Sequence, residues 1–276
     1  MKDTLNPNSI YQKIIKNKIT KSEAIEFLIS IIEKSDDTSL RLESLNVLNK
    51  LNVKNQAIFK IIESCLISDE YEDIRIISAE IILSNYLEVG LKSLEWAILN
   101  DNSSKLLNLL GCMLKNRQSY LSEALNQIYF QRLEQIALKY NLIPEEVPFL
   151  LDLGLNINNN NLFYWESVNK LIYDENIVCI IKDKHILELS LSLRNQLPSS
   201  ISLLKNLKYL NLSCNYLTNL PNSLSELSRL ENIDLSWNNF STVPDVLSAL
   251  KSIEKINFRN NNIQKLPNWL SLLDKI

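Results

Sequence analysis

Three copies of one 23-residue pattern follow each other near the C-terminal end of the sequence: LKYLNLSCNYLTNLPNSLSELSR (207–229), LENIDLSWNNFSTVPDVLSALKS (230–252) and IEKINFRNNNIQKLPNWLSLLDK (253–275). Apolar residues recur in phase through the copies, and each copy places an asparagine and then a proline at the same offset. The recurring positions are Leu207, Leu230 and Ile253; Leu210, Ile233 and Ile256; Leu212, Leu235 and Phe258; Asn215, Asn238 and Asn261; Pro221, Pro244 and Pro267. Several independent positions that keep one period indicate stacked structural repeats.

Each copy is predicted to form a short strand, a turn and a return segment. Leu210 and Leu212 alternate with polar residues, which favours a strand with one buried face and one free face. The asparagine that follows can bond backbone groups of the turn, and stacked asparagines form a ladder that satisfies buried donors and acceptors. The proline restrains the backbone where the chain leaves the strand. The last eight or so residues of each copy are predicted to return as short helices or 3₁₀ turns.

These copies resemble leucine-rich repeats of the typical intracellular 23-residue class. The resemblance implies a short α/β solenoid with parallel strands over residues 176–276, and a concave face that is free to bind a protein. Similar repeats in other families bind small GTPases or signalling proteins, so the resemblance implies a partner of that kind. Upstream, IVCII (177–181) and ILELSLSL (186–193) alternate across a tight turn and are predicted to form a β-hairpin that caps the open edge.

Residues 1–142 carry apolar residues at helical spacing and are predicted to be an array of helices. Three segments begin with a polar, Asp-bearing turn and continue through a basic residue into an apolar helix: SDDTSLRLESLNVLNKL, SDEYEDIRIISAEIILSNYL and NDNSSKLLNLLGCMLKN. This arrangement resembles HEAT repeats, in which paired helices stack with an Asp and a following Arg at each turn. Helix capping and salt bridges between repeats are the expected roles of Asp36, Asp37, Asp69, Asp73, Arg41 and Arg75.

The expected fold class is therefore an α+β two-part solenoid. A HEAT-like α-helical repeat domain (1–142) is followed by a helical connector (143–175). A short α/β leucine-rich repeat domain (176–276) with parallel strands and a β-hairpin N-cap completes the chain.

Composition narrows the range of functions. The chain has 276 residues and a net charge of −3, which offers no basic footprint for nucleic acid. Four cysteines lie far apart and are expected to be buried, reduced thiols of a cytoplasmic protein. No run approaches the roughly 18 apolar residues of a membrane span. Three glycines cannot build a phosphate-binding loop, and the lone His185 is expected to be a turn residue. We therefore expect no catalytic residue, no cofactor, no metal and no enzymatic activity.

A presenting surface remains as the candidate site. Side chains that alternate with the buried leucines are predicted to face the concave side, where they would contact a protein partner. The candidates are Tyr209, Asn211, Asn232, Asp234, Trp237, Lys255, Asn257 and Arg259, with Glu188, Ser190, Ser192, Ser213 and Ser236 completing the face. Trp237 is either a binding hot spot or a ring that covers the rim of the repeats. The face is small, so we expect a weak partner or one that also touches the helical repeats.

Two alternatives stay open at this point. Ile276 stands where a fourth copy would begin, which leaves an apolar end without a cap in the sequence. The chain would then be a monomer or self-associate weakly through that end. A second function from the enzyme class is the recognition region of a longer enzyme whose catalytic domain lies beyond Ile276.

Overall fold

The computed structural model describes residues 6–157, 162–165, 169–174 and 176–272. Two compact units divide the chain, residues 1–129 and residues 130–276. The division falls inside one long helix, whereas the sequence places its domain boundary at residue 142, and that boundary stays a prediction. The expectation about an uncapped end at Ile276 lies outside the described residues.

Helices dominate the first unit, in the segments where apolar spacing predicts them. The α-helices of the described chain are α1 (Pro7–Ile15), α2 (Lys21–Lys34), α3 (Thr38–Leu51), α4 (Gln56–Ser68), α5 (Glu72–Asn85), α6 (Leu91–Asn100), α7 (Ser104–Lys115), α8 (Tyr120–Tyr140) and α9 (Val147–Asp152). Thr20 and Glu23 form a capping box at the start of α2: the Glu23 N–H donates to Thr20 Oγ1 at 3.2 Å, and the Thr20 N–H donates to Glu23 Oε2 at 2.8 Å. Asp37 caps α3 by accepting from the Ser39 N–H at 2.9 Å.

Consecutive helices pair, and alternate helices stack on each other. Helix α2 packs on α3 and α4 packs on α5, while α3 packs on α5 and α5 packs on α7. The core between them is formed by leucine and isoleucine side chains such as Leu28, Leu45, Ile62, Ile82 and Leu94, all at most 1% exposed. The first unit is therefore a stack of helical hairpins around a continuous apolar core.

The predicted salt bridges between repeats are found at Arg41 and Arg75. The Arg41 guanidinium bonds the carboxylate of Asp69, and its Nε donates to the Ile32 carbonyl at 2.9 Å. One hairpin further on, Arg75 Nε donates to Asp101 Oδ2 at 2.7 Å, and Arg75 Nη1 donates to the Asp69 carbonyl at 3.0 Å. Each arginine thus ties its helix to the turn that precedes the next stacked helix.

The second unit is built on a seven-stranded sheet with strand order β1 to β7 within the described residues. Strands β1 to β4 pair antiparallel, and β4 to β7 pair parallel. The bounds are β1 (Leu162–Trp165), β2 (Asn169–Asp174), β3 (Ile177–Lys182), β4 (His185–Leu191), β5 (Tyr209–Asn211), β6 (Asn232–Asp234) and β7 (Lys255–Asn257). The return segments are 3₁₀ helices, as predicted, at Ser199–Leu203, Asn222–Glu226, Asp245–Ala249 and Asn268–Leu272.

Two predictions about the start of this sheet are wrong. The connector 143–175 is not helical throughout, because it contains β1 and β2, which extend the sheet beyond β3. Ile172 is buried and Tyr173 is exposed, so the segment follows the alternation of a strand once β3 offers its edge. His185 is the first residue of β4 and does not lie in the turn, which consists of Asp183 and Lys184 with φ of 51° and 67°. The predicted β-hairpin itself, β3 with β4, is confirmed.

The three recurring asparagines form the predicted ladder. The Nδ2 groups of Asn215, Asn238 and Asn261 donate to carbonyls of the preceding copy, those of Leu191, Leu212 and Leu235, at 2.8, 2.7 and 2.8 Å. The Oδ1 atoms accept from the backbone N–H groups of Arg194, Leu217 and Phe240 at 2.7, 2.9 and 3.0 Å. Because each amide bonds two successive copies, the ladder holds the strands in one fixed register.

Candidate functional site

The strand register lines up the candidate side chains in rows. Glu188, Tyr209, Asn232 and Lys255 are Cα partners across β4 to β7, and Ser190, Asn211, Asp234 and Asn257 form the next row. Alternate residues of a strand point to the same side of the sheet, so both rows share the face opposite the buried Leu210 and Ile233. Six of the eight candidate residues lie in these rows. We call this surface the strand face.

The remaining two candidates lie just past the strand ends. Trp237 follows β6, and Arg259 follows β7. The Trp237 backbone N–H donates to the Arg259 carbonyl at 2.9 Å, so the two residues are neighbours on adjacent copies. The Trp237 side chain is 61% exposed. The ring is therefore not packed against the rim of the repeats.

Three side chains of the second row, those of Asn211, Asp234 and Asn257, form hydrogen bonds with backbone groups just past the end of their strands. Asn211 Oδ1 accepts from the Ser213 N–H at 2.9 Å, and Asn257 Oδ1 accepts from the Arg259 N–H at 3.1 Å. Asp234 Oδ1 accepts from the Ser236 N–H at 2.8 Å, and its Oδ2 accepts from Asn257 Nδ2 at 3.0 Å. The oxygen atoms of these side chains accept hydrogen bonds within the turns that follow the strands. Their role is to position the residues that follow.

A ridge of left-handed residues borders the strand face. Leu193, Cys214, Trp237 and Asn260 occupy equivalent positions of successive copies and have φ between 55° and 57°. A non-glycine residue costs roughly 1–2 kcal/mol in this conformation. The ridge persists because each residue directly precedes or lies near a rung of the asparagine ladder. Its effect is to turn the side chains outward, so that Leu193 is 66% exposed and Cys214 is also exposed.

Sequence analysis missed three members of this surface. Cys214 in the copy 207–229, and Leu193 just past β4, lie at the register position that Trp237 occupies after β6. Tyr216, two residues after Cys214, is 57% exposed. The signal that could have found them is their alignment with Trp237 in the repeat. It was hidden because leucine and cysteine in an apolar repeat are ordinarily buried.

Charges on the strand face are unevenly paired. Lys208 Nζ lies 2.8 Å from Glu231 Oε1, beside a cleft of about 280 Å³ that is lined by Leu187, Glu188, Lys208, Tyr209, Glu231 and Asn232. Lys255 and Arg259, both exposed on the last strand, have no carboxylate within 4.0 Å among the described residues. The face therefore carries two unneutralised cations at its β7 side.

His185 has a partner that the sequence did not reveal. Its Nδ1 lies 2.9 Å from Oε1 of Glu146, whose side chain is buried, and Glu146 Oε2 accepts from the Ile186 N–H at 2.9 Å. Burial raises the pKa of the Glu146 carboxyl, against the opposing effect of these hydrogen bonds. The pair ties the segment before α9 to the start of β4, which is a structural role.

Glu146→Gln is expected to become more stable relative to the wild type as pH rises from about 4 to 8. A carboxyl whose pKa is raised in the folded state stabilises the fold below its ordinary pKa, and it loses that contribution as pH rises through the folded-state pKa. Glutamine keeps an acceptor for the Ile186 N–H and a donor for His185 and has no proton to lose. Urea unfolding of both proteins across this pH range measures the difference, in which the titrating groups that do not contact residue 146 cancel.

The exposed neighbour Glu145 provides the control. Glu145→Gln removes a neighbouring charge that raises the pKa of Glu146, so it should change the pH dependence in the same direction but by less than Glu146→Gln does. If the free energy of unfolding of the wild type instead rose relative to that of Glu146→Gln with rising pH, the prediction would be wrong. The attraction between His185 and the carboxylate would then outweigh the effect of burial.

The cysteines do not form a reactive or metal-binding group. Burial raises the pKa of Cys65 to about 11 and raises that of Cys179 further, so both are protonated, weak nucleophiles at neutral pH. The expectation that all four thiols are buried is wrong for Cys112 and Cys214, which are exposed. Within the part of the chain that the structure describes, no cluster of three His, Cys, Asp or Glu side chains is placed to hold a metal ion. Nor is any described helix both long and apolar enough to cross a membrane.

Comparisons with known proteins find a partial likeness. No protein family matches the chain, and no curated protein is similar to it. Among solved structures, the crystal structure of PEPR1-AtPEP1 is similar to 35% of this chain, with 33% sequence identity and a TM-score of 0.30. The similar region spans 14% of the length of that chain.

Proposed function

We propose that this chain is a non-enzymatic, cytoplasmic scaffold that binds a protein partner through the strand face. In this proposal the copies 207–275 are leucine-rich repeats of a short solenoid, and residues 1–142 form a HEAT-like helical repeat array. The partner is a protein of unknown identity, and the helical repeats contribute to the contact where the strand face is too small.

The exposure of Trp237 beside Arg259 carries this proposal. Tryptophan, tyrosine and arginine account for most hot spots in protein interfaces, because they combine a large contact area with directed hydrogen bonds. Trp237 is 61% exposed, and the Arg259 side chain has no hydrogen bond or ion pair among the described residues. A large apolar ring held in water beside an unpaired cation is stabilised most when a partner covers it.

The size of the face limits the expected affinity. Four strands about 4.8 Å apart give a surface less than about 20 Å broad. Stable interfaces contain roughly 20–30 residues on each side, more than the strand face offers. We therefore expect a transient complex, or a partner that extends beyond the strand face.

Trp237→Ala combined with Arg259→Ala is expected to reduce partner binding at least about 30-fold, because a single hot-spot residue contributes 2 kcal/mol or more. Neither side chain bonds another side chain of the fold, so the free energy of unfolding should change by less than about 1 kcal/mol. Affinity purification with mass spectrometry, on wild type and variant in parallel, identifies proteins that depend on these two residues. Titration of a purified candidate by calorimetry then measures the change in affinity.

A matched control replaces an exposed aromatic residue and an exposed arginine elsewhere. Tyr120 is 83% exposed at the start of α8, and Arg229 lies in the turn before β6, where it bonds Asn206. Tyr120→Ala with Arg229→Ala should leave the same proteins bound. If every protein captured by the wild type were also captured by the Trp237 and Arg259 variant, the strand face would not be the binding surface.

A further inference from the structure

We propose that the segment bound by the strand face is extended and acidic, with aspartate or glutamate side chains that reach Lys255 and Arg259. This inference rests on the proposed function and names the chemistry of the partner. Three observations carry it: Lys255 and Arg259 have no ion-pair partner among the described residues, Asp234 bonds neutral N–H groups and not these two cations, and Glu188 lies at the opposite edge of the face.

The cations of the repeat region are only partly neutralised. Lys205 pairs with Glu226 at 2.7 Å, and Lys208 pairs with Glu231 at 2.8 Å, so these two lysines are neutralised by the next copy. Lys255, on the strand face, and Arg259, just past the end of β7, have no such partner among the described residues. The face therefore holds positive charge at the place where a partner would approach.

Within the described residues, the acids of the strand face form no ion pair with Lys255 or Arg259. Asp234 lies next to β7, but its Oδ1 accepts from the Ser236 N–H and its Oδ2 accepts from Asn257 Nδ2. Glu188 is exposed and stands at the β4 end of the row that ends in Lys255, three strand spacings or about 14 Å away. The row from Glu188 to Lys255 is thus acidic at β4 and basic at β7, and a segment that crosses the strands along this row fits best with its acidic end over β7.

The geometry of the cations favours carboxylates on an extended segment. Lys255 and Arg259 are four residues apart along an extended chain, roughly 13 Å. The planar guanidinium of Arg259 is suited to bidentate hydrogen bonds with a carboxylate, and Lys255 adds a point charge for a second acid. Trp237, on the neighbouring copy, offers its ring to the apolar stem of the residue bound at Arg259.

Selection from a phage-displayed library of random peptides tests the proposal, with peptides of about 12 residues, long enough to cross the face. The full chain is immobilised and panned at low and at raised ionic strength. We expect the mean content of Asp and Glu in the selected peptides to rise at least about twofold over the starting library, and less at raised ionic strength. Lys255→Glu with Arg259→Glu should invert the preference towards Lys and Arg.

The control carries the same change of net charge away from the strand face. Lys251 and Lys265 are exposed, Lys251 in the turn before β7 and Lys265 in the segment before Pro267. Lys251→Glu with Lys265→Glu should keep the acidic preference of the wild type. Loss of the preference in this control would mean that net charge, rather than the two cations of β7, selects the peptides, and the proposal would be overturned.

Other outcomes separate the chemistry of the partner from the function itself. Peptides that require Trp237 but show no acidic preference would overturn the acidic segment and leave the protein-binding function standing. A library from which the wild type selects nothing would also overturn the extended acidic segment. The function would then be decided by the affinity purification, which samples folded proteins and does not depend on peptides.

Discussion

Asn238→Ala is expected to lower the free energy of unfolding of the second unit by about 1–3 kcal/mol, the cost of one buried polar group left without a partner. Asn238 is 5% exposed, and its Oδ1 is the acceptor for the buried Leu217 N–H at 2.9 Å. Its Nδ2 donates to the carbonyls of Leu212 at 2.7 Å and Leu235 at 3.1 Å. Alanine removes all of these bonds and leaves a cavity that is polar but closed.

The loss falls mainly on the Leu217 N–H. The Leu212 carbonyl keeps a second donor in Asn215, and the Leu235 carbonyl keeps one in Asn261. The Leu217 N–H has no other hydrogen bond among the described contacts. Hydrogen exchange measured by mass spectrometry should therefore show faster exchange in the copies 207–229 and 230–252, together with an earlier urea midpoint for the second unit.

Asn239 provides a control of the same residue type one position later. It is exposed, and its side chain takes no part in the ladder. Asn239→Ala should change the free energy of unfolding by less than about 0.5 kcal/mol. Equal losses for the two variants would show that the asparagine ladder contributes nothing to stability and that the repeats are held by their leucines alone.

Asp101→Ala is expected to cost the first unit about 2–4 kcal/mol, close to the range for breaking a buried ion pair. The Asp101 side chain is 4% exposed and the Arg75 side chain is 19% exposed, so the guanidinium left behind is only partly reached by water. Asp101 Oδ1 also accepts from the Ser103 N–H at 2.8 Å, next to the start of α7. The substitution therefore removes a salt bridge between stacked hairpins and a turn contact together.

Hydrogen exchange of the amides of α5 and α7 and urea unfolding followed by circular dichroism measure this loss. Asp36→Ala is the control, because Asp36 is exposed and precedes α3 in a comparable turn, and it should cost less than about 0.5 kcal/mol. Adding Arg75→Leu to Asp101→Ala should recover part of the stability, since an apolar side chain replaces an unpaired charge. A double variant as unstable as the sum of its single variants would mean that the two residues act independently.

The start of the sheet shows which features a local sequence pattern can predict and which it cannot. The hairpin of β3 and β4 followed from alternation across a short turn. The strands β1 and β2 could not be predicted from their own residues, because the local pattern does not distinguish a strand from a connector there. They become strands because the edge of β3 supplies hydrogen-bond partners for their backbone. The pairing of Glu146 with His185 joins residues 39 positions apart, which no motif in the sequence marks.

The sequence by itself determined the repeat: its 23-residue step, the buried leucines, the asparagine ladder and the face on which six of the eight candidate residues lie. It could do so because each copy repeats the same local pattern, and stacking identical units leaves one register that buries all the leucines. Only the tertiary structure decided that the Trp237 side chain points outward from a left-handed ridge. It also decided that Asp234 is hydrogen-bonded to Ser236 and Asn257, while Lys255 and Arg259 have no ion-pair partner among the described residues. Those properties depend on distances between side chains of different copies, and residue periodicity contains no information about them.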